Sequence, residues 1–349
     1  MWNVIGQSRA VELLRYSLES GRLAHAYLFV GQSNVGKMTL AINLAQALNC
    51  EQEERPCGQC TACSRIATGK YADVQIIGRS PDTGSGDSAP KKEIGIAQIR
   101  ELQQAASLQP YEGRHRVFII DGAEYLNEES ANCLLKILEE PPPRVLIILL
   151  TINDSRLLPT IISRCQRVDL LPVPAGIIEQ ELSGLRDVEP DRAGLLARLS
   201  RGGIGWAIAA SQNDKLLQER NTKLNELQEM STASLEERFS FAGKLATQYG
   251  KSRESVEGTL NLWLEWWRDL LLAKAGRTEY ITNIDREESV VRYSEGYSLS
   301  EIRHYMEAIR AALEQLSQNA NARLVLEVLM LSIPDRAEER IGRPGARTY

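Results

Sequence analysis

A strand that runs into a phosphate-binding loop and then a helix leaves few architectures open, and residues 25–49, HAYLFVGQSNVGKMTLAINLAQALN, read that way. HAYLFVG has strand character, and KMTLAINLAQALN has helical periodicity. Between them Gly31, Gly36 and Lys37 fit the phosphate-loop spacing G-x-x-x-x-G-K-[ST]. Backbone N–H groups and a helix N-terminus can surround phosphate there, while lysine adds a point charge. The two glycines permit the tight turn, and Lys37 would reach the β- and γ-phosphates. The plain alternative is a glycine-rich turn before an ordinary helix.

The chemical positions around this frame are altered. Met38 stands where serine or threonine would hold Mg²⁺, and a thioether is a poor partner for a hard cation. Thr39 lies one residue further along, about 100° around the helix, and does not simply replace the missing hydroxyl. The stretch RVFIIDGAEYL supplies Asp121 at the end of an apolar strand, suited to holding Mg²⁺ through water. Gly122 follows it, and Glu124 lies two residues further on. Gly31, Gly36, Lys37, Thr39 and Asp121 are thus the candidate nucleotide-binding set. The frame is present, the metal and water positions are depleted, and ATP binding by this chain is doubtful.

Further strands are expected at Val74–Ile77, Arg116–Asp121, 145–151 and 166–171. Their continuous apolar character suits a parallel sheet covered on both faces. The polar segment 78–95 reads as a mobile loop. After the proline-bearing joint 170–176 the strand pattern stops. The expected division is an α/β module over 1–172, a small helical lid over 173–212, and an all-α C-terminal domain over 213–349. A chain of 349 residues with 43% hydrophobic content has room for these cores.

Forty-one basic and 46 acidic residues give a net charge of −5, which argues against a basic coat for indiscriminate nucleic-acid binding. The opening MWNVIGQSRAVELL has no signal-peptide pattern, the apolar run 145–152 is too short to span a bilayer, and Glu265, Arg268 and Asp269 interrupt the run 260–272. A cytoplasmic protein without membrane contact is expected.

Four of six cysteines crowd into 50–63: Cys50, Cys57, Cys60 and Cys63, spaced C-x6-C-x2-C-x2-C. Without a secretory signal this crowding suggests metal rather than disulfides. Four thiolates make a closed tetrahedral zinc shell with no open position for water, so the expected Zn²⁺ is structural. Free thiols are the alternative. Cys133 and Cys165 lie outside the cluster and read as packed residues.

Together VIGQSRAVELL, HAYLFVG, LNC leading into PCGQCTAC, SANCLLKILEEPP and LLPTIISRC resemble the bacterial DNA polymerase III clamp-loader AAA+ subunits. The matches cover most of 1–170. The cysteine spacing is shorter than in that family, so the ligand set carries over and the knob's shape does not. Met38, Gly122, and Gly205 where a lid-domain arginine commonly meets nucleotide, all point to the delta-prime type rather than the tau/gamma motor. The resemblance implies an AAA+ module, a helical lid and an oligomerising helical collar. It also implies tau/gamma and delta as partner subunits, a sliding clamp, and primer–template DNA within the complex. The arginine of SRC, here Arg164, would serve a neighbour's ATP in trans. Alternatives are an active tau/gamma-type ATPase, or a zinc-containing nucleic-acid-binding module with a vestigial nucleotide fold.

Other residues carry weaker expectations. Arg100 faces either DNA phosphate or solvent. Lys136 and Glu139–Glu140 pair at a subunit edge or along their own helix. Trp263, Trp266 and Trp267 fall at helical spacing and read mainly as packing. His25, His115 and His304 show no metal spacing.

Overall fold

The computed structural model describes residues 2–79, 93–185 and 188–335. Most of the segment expected as a mobile loop, 78–95, lies outside the described residues. The chain forms two compact units: Met1–Asp187 with Ser200–Ile208, and Val188–Leu199 with Ala209–Tyr349. Residues 173–212 are therefore shared between the two.

The first unit holds α1 (Ser8–Glu19), β1 (Ala26–Val30), α2 (Lys37–Asn49), α3 (Thr61–Ala67), β2 (Val74–Ile77), α4 (Ile96–Ala106), β3 (Arg116–Asp121), α5 (Glu128–Glu139), β4 (Val145–Thr151), α6 (Pro159–Ile162), β5 (Gln166–Asp169) and α7 (Ala175–Ser183). Among the described residues the strands form one parallel sheet in the order β2-β3-β4-β1-β5. Phe29 of β1 pairs with Leu150 on one side and Val168 on the other.

The sheet is buried on both faces at its centre, which explains the unbroken apolar runs of β1, β4 and most of β3. Tyr27, Phe29, Val117, Ile119, Leu146 and Ile148 enter one core with Leu40 and Leu44 of α2. Their alternating neighbours Ala26, Leu28, Phe118, Ile120, Ile147 and Leu149 enter the other, with Ile99 of α4 and Leu134 of α5. All of β4 is buried, whereas the edge strands β2 and β5 expose Gln75, Ile76, Gln166 and Arg167. This period-two division is what a parallel sheet between helical layers requires.

The helices that follow are α8 (Pro190–Leu199), α9 (Ile204–Gln212), α10 (Lys215–Thr232), α11 (Leu235–Lys251), α12 (Arg253–Lys274), α13 (Glu287–Glu295), α14 (Leu299–Ser317) and α15 (Ala322–Leu331). Capping boxes start two of them: Ser234 with Glu237, and Ser298 with Glu301. Trp263, Trp266 and Trp267 are at most 2% exposed and line the core of the second unit, as their spacing predicts. Trp267 sits 4.6 Å from Tyr305, ring centre to ring centre. No described helix is long and apolar enough to cross a membrane.

Candidate functional site

The phosphate loop joins β1 to α2 as the sequence predicts. Gly36 caps α2 at φ 105°, a conformation that L side chains rarely adopt. A Cβ on Gly31 would lie 2.6 Å from the Leu170 carbonyl, so the loop passes too close to the end of β5 for any side chain. Lys37 turns back onto its own loop. Its Nζ donates to the carbonyls of Gly31 at 2.5 Å and Gln32 at 2.7 Å. Burial lowers its pKa, opposed by the negative charges of Glu124 and Asp121.

Met38 packs against the apolar cluster between α2 and the sheet, and Thr39 is exposed on the first turn of α2. The side chain that follows Lys37 thus turns to the apolar cluster and offers no oxygen. Asp121 ends β3 at the surface, near enough to Lys37 for its charge to be felt. Gly122 has φ 76°, and a Cβ there would come within 2.7 Å of the Tyr125 ring. A glutamate at this position would be strained by the turn itself. Glu124 accepts weakly from the Ile152 amide at 3.5 Å, while its Oε2 is buried without a hydrogen bond.

The tip of the loop is covered from within the same unit. Gln32 donates to the Arg201 carbonyl at 2.8 Å, and the Gly205 amide donates to the Asn34 carbonyl at 2.9 Å. A Cβ on Gly203 would sit 3.3 Å from the Ser33 carbonyl. The start of α9 therefore rests on the phosphate loop through backbone, at the place where an arginine side chain was missing from the sequence pattern. Nothing in the sequence signalled this contact.

The four cysteine sulfurs of Cys50, Cys57, Cys60 and Cys63 all lie within 4.8 Å of one another, the first three between α2 and α3 and Cys63 in the first turn of α3. Cys50 and Cys60 are 4.0 Å apart, and Cys57 and Cys63 are 3.9 Å apart. A tetrahedron with zinc–sulfur bonds of about 2.3 Å has sulfur–sulfur edges of about 3.8 Å. The set fits a single tetrahedral ion. Gly58 takes a positive φ of 77°, and the amides of Gln59 and Cys60 donate to the Cys57 sulfur. Those amides pull the Cys57 thiol down to about 6, whereas burial pushes Cys63 up to about 12.

A buried polar hub that no sequence pattern announces forms around Asp73. Asp73, fully buried, accepts from the amides of Tyr111, Glu112 and Gly113, each at 2.8 Å, and from the Arg116 guanidinium at 3.1 Å. Asn49, the last residue of α2, takes the amides of Arg114 and His115. Two side chains thereby satisfy the backbone of the turn that enters β3.

Arg164 stands between α6 and β5, its side chain one-third exposed. Nη1 donates to the Thr160 carbonyl at 2.9 Å, and Nη2 lies 2.8 Å from Glu139 Oε1. Cys165 beside it is partly buried against the core, and burial pushes its thiol up to about 12. Cys133 packs, half-buried, against the same core, so both outlying cysteines are packing residues. Arg100 is exposed on α4.

Comparison with known proteins places these features. The family model described as "DNA polymerase III, delta subunit" matches residues 6–174, and "DNA polymerase III, delta subunit, C terminal" matches residues 214–334. The chain is 32% identical over 330 residues to DNA polymerase III subunit delta' of Bacillus subtilis (strain 168), covering 94% of this chain and 96% of that protein. This chain belongs to the DNA polymerase III delta' family. It is also 34% identical over 214 residues to subunit tau of Escherichia coli (strain K12), spanning 59% of this chain but only 32% of that longer protein. Among solved structures, a DNA polymerase III gamma subunit-related protein of Thermotoga maritima aligns over 93% of this chain and 98% of its own, with 19% identity and a TM-score of 0.43. The AAA+ expectation for the delta' family agrees with the parallel sheet and phosphate loop, and the C-terminal family model covers the helical second unit.

Proposed function

We propose that this chain is the non-hydrolysing, delta'-type member of a clamp loader, helping to place a sliding clamp on primed DNA. Its partners in this reading are tau/gamma and delta subunits, the clamp, and primer–template DNA. The observation that carries the proposal is the division of the nucleotide site. The frame of Gly31, Gly36 and Lys37 is intact, while Met38, half-buried, packs against the apolar cluster and Gly122 is held at positive φ. Arg164, by contrast, is presented at the surface, away from any hydrolytic machinery of its own. An arginine of that kind serves phosphate held by another subunit.

The division of labour follows the domains expected from the sequence: a module over 1–172, a lid over 173–212 and a collar over 213–349. The collar reading is supported by Leu324, Val328 and Leu331, which lie on one face of α15 and are each more than half exposed. An apolar stripe of that spacing suits packing against another helix.

The isolated chain should hydrolyse ATP negligibly, because Met38 offers no hard oxygen to Mg²⁺ and Gly122 carries no group to orient water. Steady turnover that disappears in Lys37→Ala would overturn this and restore an active tau/gamma-type motor. Measured on the purified chain, the assay separates the two readings directly.

Zinc is the metal that the four-sulfur set favours, held by Cys50, Cys57, Cys60 and Cys63 in a closed structural shell. Metal analysis after removal of loosely bound ions should find about one equivalent per chain. Cys60→Ser should release it and make the knob over 50–63 sensitive to protease, with the parallel sheet retained by circular dichroism. A folded, reduced sample with almost no zinc would rule the assignment out.

A further inference from the structure

The acidic end of α5 suits its own helix poorly. A helix C-terminus carries the negative end of the dipole, where carboxylates are disfavoured. Glu139 is nonetheless the last residue of α5, with Glu140 directly after it and Lys136 the only basic residue in the last turn. The sequence left open whether these acids pair along the helix, and the structure shows Glu139 reaching across to Arg164 instead.

Arg164 is held from two sides. Glu139 engages Nη2, and the Thr160 carbonyl engages Nη1. Nearby in the chain, Ile161 is fully buried in the same core as Leu134 and Leu138 of α5, and Cys165 packs against that core. Both anchors are therefore fixed to packed backbone. A guanidinium carries five N–H groups in a rigid planar fork, and these contacts leave donors to spare.

We infer that Glu139 is a positioning residue for Arg164, orienting its guanidinium before a neighbouring subunit's nucleotide arrives. The inference rests on the reading of Arg164 as acting in trans. An arginine side chain has many rotamers, and ordering it before the reaction removes that entropy loss from the transition state. The Glu139 side chain is half exposed, so water screens its charge and the arginine keeps its attraction for phosphate. Fixing direction while sparing charge is what a positioning partner must do.

The test is a double-mutant cycle in the reconstituted complex, with all other subunits wild type and assembly confirmed by co-elution. Glu139→Ala should lower the maximal DNA-stimulated ATPase roughly two- to fivefold, the range of an exposed ion pair. The ATP concentration for half-maximal rate should not move, because binding at that site belongs to the neighbour. Glu139→Gln, which keeps an acceptor oxygen, should recover part of the rate. In an Arg164→Ala background, Glu139→Ala should have no further effect. If Arg164→Ala lowers the rate but Glu139→Ala does not, or lowers it equally in both backgrounds, Glu139 does not act through Arg164 and the inference is wrong. If Arg164→Ala itself changes nothing, the in-trans reading fails first and takes this inference with it.

Discussion

Arg164→Ala should leave the chain folded and assembled while sharply lowering DNA-stimulated ATP hydrolysis and clamp loading by the complete complex. In phosphoryl transfer negative charge must be stabilised on the γ-phosphate oxygens, and a planar guanidinium delivered from a second subunit does this well. Such fingers are worth about 10³–10⁵ in rate at the site they serve. The whole-complex rate should fall less, because other ATP sites keep their own. The folding cost should be small: the ion pair with Glu139 is largely solvated, and pairs of this kind contribute about 0–1 kcal/mol. Arg164→Lys should rescue poorly, since an ammonium lacks the planar fork. Both variants are best measured in complexes with wild-type partners. Unchanged hydrolysis and loading, with assembly intact, would mean that Arg164 only closes a surface ion pair.

Asp73→Ala should cost the first unit about 3–5 kcal/mol, the usual penalty for stranding one partner of a buried ion pair. Arg116 is 8% exposed and would lose its carboxylate, and the amides of Tyr111, Glu112 and Gly113 would lose their acceptor together. Asp73→Asn should cost less, because one carbonyl oxygen remains. Urea unfolding followed by tryptophan-independent circular dichroism would read both. A loss under about 1 kcal/mol for Asp73→Ala would show that the turn before β3 holds without this hub. The same residue predicts an acid sensitivity. Burial alone would push the Asp73 carboxyl up, but the three amides and Arg116 outweigh it and hold the pKa below its ordinary value of 3.8. A carboxyl depressed in the folded state stabilises fully above its unfolded pKa, and that contribution is lost as pH falls through the folded value. The wild-type advantage over Asp73→Ala should therefore be complete above about pH 5 and shrink below pH 4.

Much of the architecture was written locally. The inner strands β1, β4 and the Val117–Ile120 stretch of β3 are apolar without interruption because both faces of a parallel sheet are buried there, whereas the edge strands β2 and β5 carry Gln75, Gln166 and Arg167, so burial leaves its mark residue by residue. The phosphate loop and the cysteine cluster are likewise local: Gly31, Gly36 and Lys37 sit within seven positions, and the four sulfurs within fourteen. The tryptophan spacing in α12 announced a packed face for the same reason.

What tertiary structure alone decided was which distant groups meet. The pairing of Glu139 with Arg164, the reach of Asp73 to 111–113, and the seat of Gly205 on Asn34 each join segments that carry no shared periodicity. An isolated acid in YADVQII looks the same whether it ends in water or in a buried hub. The division of residues 173–212 between two compact units is of the same kind, since it follows from which surfaces pack and not from the helical pattern. Composition and spacing record the environment of single residues along one element. The partner of a charge depends on how separate elements are brought together, and here that decided how Arg164 is held.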